Sequence, residues 1–214
     1  SGTLGFLSAP NYEADARRYS VEIVATDKAG AVAKLAVLIT LTDVNEAPSI
    51  SSASAGAVAE NAPPSTVVYQ TQASDPDAGD TLIYSLTGTD AALFEIDAQG
   101  ALRLKASANY EAKNNYTLID VATDAGGLVS TQALTISVSN VNEAPSISSA
   151  SAGTVAENAP PSTVVYQTQV SDPDAGDTLI YSLTGTDAAS FTVDAQGQVR
   201  LLTSANFEVK NSYS

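Results

Sequence analysis

The stretch NEAPSISSASAG begins at Asn45 and again at Asn142, and from there an offset of 97 residues holds without a gap to the end of the chain. Residues 47–117 and 144–214 differ at 13 of 71 positions. An earlier stretch belongs to the same series, because NYEADARRYSVEIVATDKAG from Asn11 parallels NYEAKNNYTLIDVATDAGG from Asn109. Self-similarity at a fixed period marks an array of repeated units. The expected division is therefore residues 1–46 as the back part of one repeat, 47–143 as a complete repeat, and 144–214 as the front part of a third. Near-identity between copies points to recent duplication within a long array, with Ser1 read as an internal cut rather than a natural start.

Within a repeat the hydrophobic pattern is that of strands. Residues 65–75, STVVYQTQASD, alternate Val67, Tyr69, Thr71 and Ala73 on one face with Val68, Gln70 and Gln72 on the other. That two-residue period predicts a half-buried strand. TLIYSLTG follows at 81–88, and LFEIDAQGALRL at 93–104 reads as two strands joined by a turn at Asp97–Gly100. NYTLIDVATD and LVSTQALTISVSN close the unit through Ala125, Gly126 and Gly127. No segment sustains a 3.6-residue period. Some seven short strands in about 100 residues predict an all-β, Greek-key β-sandwich. Pro48 and Pro145, in TDVNEAP and SNVNEAP, end strand pairing at the boundaries.

Composition narrows the functions. A net charge of −15 argues against nucleic acid and against an anionic membrane surface. With no Cys and no His, the best zinc and iron–sulfur ligands and the Ser- and Cys-based catalytic triads are absent. No apolar run reaches the ~18 residues of a membrane span, and no basic-plus-apolar leader stands at the start. No membrane insertion by this segment is expected.

The negative charge is concentrated. SDPDAGDT occurs at residues 74–81 and 171–178, with three aspartates within six residues each time. Like charges that close need open solvent or a cation. An EF-hand loop would need Gly at position six and Glu at twelve, but counting from Asp75 these fall at Asp80 and Leu86, with Gly79 at five. A paired-carboxylate enzyme would need a cleft between its two groups, whereas Asp75 and Asp77 lie two residues apart and recur in every repeat. Asp, Pro and Gly also suit an ordinary solvated turn. Other acidic groups weigh against that reading: Glu60 and Glu157 in AEN, Glu111 and Glu208 in N-Y/F-E, Asp27 and Asp124 in ATD, and the VNEAP boundary, all at predicted strand ends.

AEN, DPD, YSL, FEID…G, NYE, ATD and DVNEAP or NVNEAP, taken together and in this order, resemble the cadherin repeat, in the bacterial cadherin-like form of large surface adhesins. The likeness covers the whole chain. It implies Ca²⁺ held between consecutive repeats. At the first boundary the resemblance assigns Asn11 and Glu13, the linker's Asn45 and Glu46 with the Val44 and Ala47 carbonyls, and Asp75, Asp77 and Asp124. At the second it assigns Glu60, Asn109 and Glu111, then Asn142 and Glu143 with the Val141 and Ala144 carbonyls, then Asp172 and Asp174. Two departures stand out: the family's D-R-E reads N-Y-E here, and the acidic residue of N-D-N is Glu. The lost carboxylate weakens the outermost ion most.

The expected function is that of a calcium-stiffened, non-catalytic rod segment of an extracellular cell-surface adhesin. Its partners would be neighbouring repeats of the same long chain, with cell-surface glycans or homophilic contacts beyond them. The alternative is a carbohydrate-binding module, which needs an exposed aromatic platform. Tyr84, Tyr116 and Tyr181 are expected in the core instead. Asn115-Tyr116-Thr117 matches a glycosylation sequon, a pattern that arises readily by chance.

Overall fold

The computed structural model describes residues 2–214, and they are all-β apart from two single 3-10 turns. Two compact units divide the chain, Ser1–Ser139 and Asn140–Ser214.

The first unit opens with a hairpin of β1 (Arg18–Thr26) and β2 (Val32–Thr40), paired antiparallel with Val21 opposite Val37. Its turn is closed by Asp27, whose Oδ1 accepts the N–H groups of Ala29 and Ala31 at 2.8 and 2.9 Å. The hairpin pairs fully along its backbone while much of its apolar surface stays bare, Ile23 at 45% and Leu35 at 62% exposure.

The middle repeat follows as β3 (Ser49–Ile50), β4 (Ala55–Ala59), β5 (Val67–Gln70), β6 (Ala73–Ser74), β7 (Ile83–Thr87), β8 (Phe94–Ile96), β9 (Ala101–Leu104), β10 (Asn115–Thr123) and β11 (Val129–Ser139). One sheet has the order β4-β11-β10-β7 and the facing sheet β5-β9-β8, with β3 and β6 forming a short pair at one end. The parallel pairing of β4 with β11 closes the Greek-key sandwich predicted from the strand pattern. Alternation on β10 and β11 sends Tyr116, Leu118, Leu134, Ile136 and Val138 inward, where they meet Val58, Val68, Tyr69, Phe94, Leu102 and Leu104. Phe94 and Tyr116 pack edge to face with ring centres 5.3 Å apart.

Residues 65–75 depart from the simple alternation. A register shift between Val67 and Tyr69, opposite β9, buries Val68 and Tyr69 together and leaves Val67 exposed. This β-bulge places two residues against one on the partner strand, so the period-two reading changes phase there. The strand stops at Gln70, with Thr71 N–H still donating to the Gly100 carbonyl at 2.9 Å, and resumes as β6 paired with β3 instead of β9.

One inward position of β10 is a carboxylate. Asp120 is fully buried, accepts the Thr71 hydroxyl at 2.8 Å through Oδ2, and has no hydrogen-bond partner at Oδ1. Burial pushes its pKa up, against the Thr71 hydroxyl and the Val121 N–H.

The second unit carries β12 (Ser146–Ile147), β13 (Val164–Gln167), β14 (Val170–Ser171), β15 (Phe191–Val193) and β16 (Gln198–Leu201). β12 pairs with β14, and the three-stranded order β13-β16-β15 repeats β5-β9-β8 with the same bulge. Among the described residues no strand forms over 152–156 or 180–184, the counterparts of β4 and β7. A cavity of about 520 Å³ opens among Tyr166, Phe191, Leu201 and Tyr213.

Candidate metal centre

The DPD loop after β6 is shaped by its own residues. Asp75 Oδ1 accepts the Asp77 N–H at 2.9 Å, the Asp80 N–H reaches the Asp77 carbonyl at 3.2 Å, and Gly79 takes φ of 100°, a left-handed value that favours glycine. With Asp75 engaged locally, Asp77 is turned toward the linker. Its Oδ2 accepts the Glu46 N–H at 2.9 Å, tying the boundary segment to the loop.

Asp124 ends β10 on the same pole. It is 3% exposed, accepts the Leu128 N–H at 2.7 Å through Oδ1, and accepts Asn45 Nδ2 at 2.7 Å through Oδ2. Burial opposes its charge, but the Asn45 amide and the N–H groups of Leu128, Gly127 and Gly126 prevail and hold the carboxyl below the usual range. From the preceding repeat comes the turn at Asn11, whose Oδ1 accepts the Ala14 N–H at 2.6 Å and whose carbonyl accepts the Asp15 N–H at 2.9 Å. That turn presents Glu13.

Two groups of carboxylates result. One oxygen from each of Glu13, Asp43, Glu46 and Asp77 lies within 4.8 Å of the others, and the same holds for Asp75, Asp80 and Asp124. Four oxygens, Glu13 Oε2, Glu46 Oε2, Asp75 Oδ2 and Asp80 Oδ2, are shielded from solvent and have no hydrogen-bond partner. Among the described residues none of the seven carboxylates pairs with Lys or Arg. The conflict registers at Glu46, whose pKa is raised by burial first and then by Glu13, Asp77, Asp43 and Asp75. Shielded, unpaired carboxylates at this density are costly unless a cation neutralises them. The donors are all oxygen, which suits a hard ion such as calcium, bound by six to eight oxygens, and not a thiophilic metal.

Asp43 and Asp80 are not among the residues assigned from sequence. Asp80 is the third aspartate of the duplicated octapeptide, so its signal was present. Asp43 was masked by the duplication itself, since Asn140 stands in its place at the next boundary. Val44 and Ala47 lie in the same linker, with Val44 side chain exposed.

In the second unit the same latch recurs. The Glu143 N–H donates to Asp174 Oδ2 at 2.7 Å, Asp174 N–H donates to Asp172 Oδ1 at 3.0 Å, and Asp172, Asp174 and Asp177 form one group within 4.8 Å. Asn142 Nδ2 donates to the Glu143 carbonyl at 3.1 Å, between the exposed Val141 and Ala144. On the first unit, buried Glu60 follows β4 and accepts the Tyr110 N–H at 2.8 Å through Oε2. Asn109 repeats the turn of Asn11, accepting the Ala112 N–H at 2.6 Å, and Glu111 is exposed beside it.

Tyr116 is buried and Tyr84 and Tyr181 are half-buried, so these three offer no open aromatic platform. No helix among the described residues is long and apolar enough to cross a membrane.

The middle repeat is a Greek-key sandwich with oxygen-only acidic groups gathered at the pole where a linker enters. Residues 54–139 match the family model described as the cadherin domain, and the middle repeat is a cadherin-like repeat. The chain is 30% identical to human protocadherin Fat 1 over 91% of its length, which is 5% of that protein. To the mouse cadherin EGF LAG seven-pass G-type receptor 1 it is 28% identical over its full length, 8% of the receptor. The crystal structure of mouse cadherin-23 EC22-24 superposes with a TM-score of 0.66 at 26% identity, covering 94% of this chain and 68% of that one. The chain thus spans a small fraction of the curated relatives it matches.

Proposed function

We propose that this chain is a calcium-binding structural segment of an extracellular cell-surface adhesin, in which cations held where repeats meet stiffen a rod. The observation that carries this reading is the set of four shielded carboxylate oxygens without partners, from Glu13, Glu46, Asp75 and Asp80. Glu13 belongs to the preceding repeat, Asp43 and Glu46 to the linker, and Asp77 to the middle repeat, so one ion-binding group would tie three segments together. Bound calcium would supply the positive charge that removes their mutual repulsion. Asp75, Asp80 and Asp124 would hold a second ion beside them. Asn11, with its side-chain oxygen engaged by Ala14, would orient Glu13. By the repeat offset, Asp172 and Asp174 stand where Asp75 and Asp77 stand and would take the same roles.

The relatives support the adhesive setting: they are cadherins and protocadherins, and one matching structure is described as extracellular cadherin domains. Adhesion through homophilic contacts or glycans, within a bacterial-type surface array, is the finer part of the proposal. The segment is read as non-catalytic, since the acidic set recurs at each boundary and the chain lacks His and Cys.

A double-mutant cycle tests the shared group. Glu13→Gln and Asp77→Asn lie in different repeats. Each alone should remove most of the calcium-dependent rise in stability, and together they should remove far less than the sum. Additive losses would mean that the two carboxylates serve separate sites or none.

A further inference from the structure

The loops that follow the ATD motifs are built alike but differ at one small residue. In the hairpin, Asp27 N–H donates to the Ala31 carbonyl at 3.0 Å and Gly30 N–H to the Asp27 carbonyl at 3.1 Å. In the middle repeat, Asp124 N–H donates to the Leu128 carbonyl at 3.1 Å and Gly127 N–H to the Asp124 carbonyl at 3.3 Å. Gly30 and Gly127 share φ of 89°. Between them, Ala29 in the first loop occupies the place of Gly126 in the second. The loop backbone therefore accepts a Cβ at this position, and Gly126 has no left-handed φ that would demand glycine.

What a Cβ on Gly126 would meet is the linker. Asn45 Oδ1, Cγ and Nδ2 would lie 2.4, 2.7 and 2.8 Å from it, all too close. The same Asn45 amide donates to Asp124 at 2.7 Å. We infer that Gly126 is a positioning residue of the boundary: its bare backbone is the seat on which Asn45 docks, and the residue at this place decides whether an ATD loop takes a linker asparagine. A loop with Ala there, as at Ala29, would turn such an asparagine away. This assignment rests on the calcium reading for its consequence, not for its geometry.

The test is Gly126→Ala in the full chain. In chelator the variant should melt somewhat below wild type, because expelling Asn45 removes its hydrogen bond to the buried Asp124 carboxylate, which outweighs the restriction that a Cβ places on the unfolded chain. The Asn45 side-chain amide, identified by nuclear magnetic resonance from its loss in Asn45→Ala, should lose its hydrogen-bonded shift in chelator. Calcium affinity should fall about 10–100-fold, as for other residues that orient ligands from behind. Asn45→Ala and the Asn45→Ala/Gly126→Ala pair should bind alike. An unchanged Asn45 amide, or a pair weaker than Asn45→Ala alone, would overturn the seat. An altered amide with unchanged affinity would overturn its role in binding. If wild type bound no calcium yet the Asn45 amide shifted, the seat would stand and the calcium reading would fail.

Discussion

The sequence TLIYSLTG occurs at residues 81–88 and 178–185, and only the first copy contains a strand. The same holds for AGAVAEN, which includes all of β4, and its near-copy AGTVAEN, which is irregular. β7 exists by pairing with β10, and β4 by pairing with β11. Residues 140–214 hold no counterpart of the β10–β11 hairpin. Identical sequence is thus strand or coil according to whether its partner is present, as expected when cross-strand contacts rather than local propensity stabilise a sheet. The isolated hairpin β1–β2 shows the converse. It pairs along its whole length, yet Val37 and Ile39 are half-exposed where Leu134 and Ile136, at the same places in the middle repeat, are buried. The hairpin is the local element of the repeat, and the strands that flank it are the dependent ones.

Hydrogen exchange reads this contrast directly. Amides of 83–87 that bond to β10 should be protected up to the stability of the middle repeat, several kcal/mol, while those of 180–184 exchange as an open segment. Equal protection would mean that the octapeptide forms its strand unaided.

Core truncation comes next in size. Ile136→Ala should cost about 2–5 kcal/mol, and Ile39→Ala, on the bare hairpin, under about 1 kcal/mol by thermal or denaturant melting. Similar costs would show that the hairpin has a core of its own.

Asp120 separates the two hairpins by charge, since Ile23 holds its place in β1. Burial raises the folded-state pKa of Asp120 above its unfolded value near 4. Its contribution to stability is therefore complete below about pH 4 and is lost as pH rises through the folded value. The boundary carboxylates, when they hold a cation, lose binding as pH falls, so the two dependences run oppositely. Asp120→Asn, melted in chelator, should match wild type in acid and exceed it at neutral pH by roughly 1–3 kcal/mol, the scale of a buried charged group short of partners. A constant gap across pH would show that Asp120 does not change protonation on folding in that range.

The smallest effect should be equal in both copies. Arg103 meets Asp97 at 2.8 Å and Arg200 meets Asp194 at 2.7 Å, each across a hairpin that both repeats complete. Arg103→Ala and Arg200→Ala should each cost under about 1 kcal/mol, as exposed pairs do. Unequal local exchange around the two turns would show that the missing strands reach these as well.

Much of this was legible from residues alone. Alternation identified β10 and β11, and Asp97 with Gly100 located the β8–β9 turn. The bulge at Val67–Tyr69 was not, because its phase change is set by pairing with β9, far away in sequence. Nor was the burial of Asp120, which register imposes on a residue that composition would leave in solvent. At the candidate site, motif order led to Glu13, Asp75, Asp77 and Asp124, whereas Asp43 joined them only once the linker was seen beside Glu13. Gly126 was recognisable merely as part of a turn; its contact with Asn45 depends on how the linker lies.

Calcium titration of the chelator-treated chain, followed by thermal melting, tests the central claim most directly. Millimolar calcium should raise the melting temperature, with about 2.7 kcal/mol per site at 100 times Kd, and Asp77→Asn should remove most of that rise without altering the melt in chelator by a comparable amount. Melting curves that coincide in calcium and in chelator would contradict a cation at this boundary.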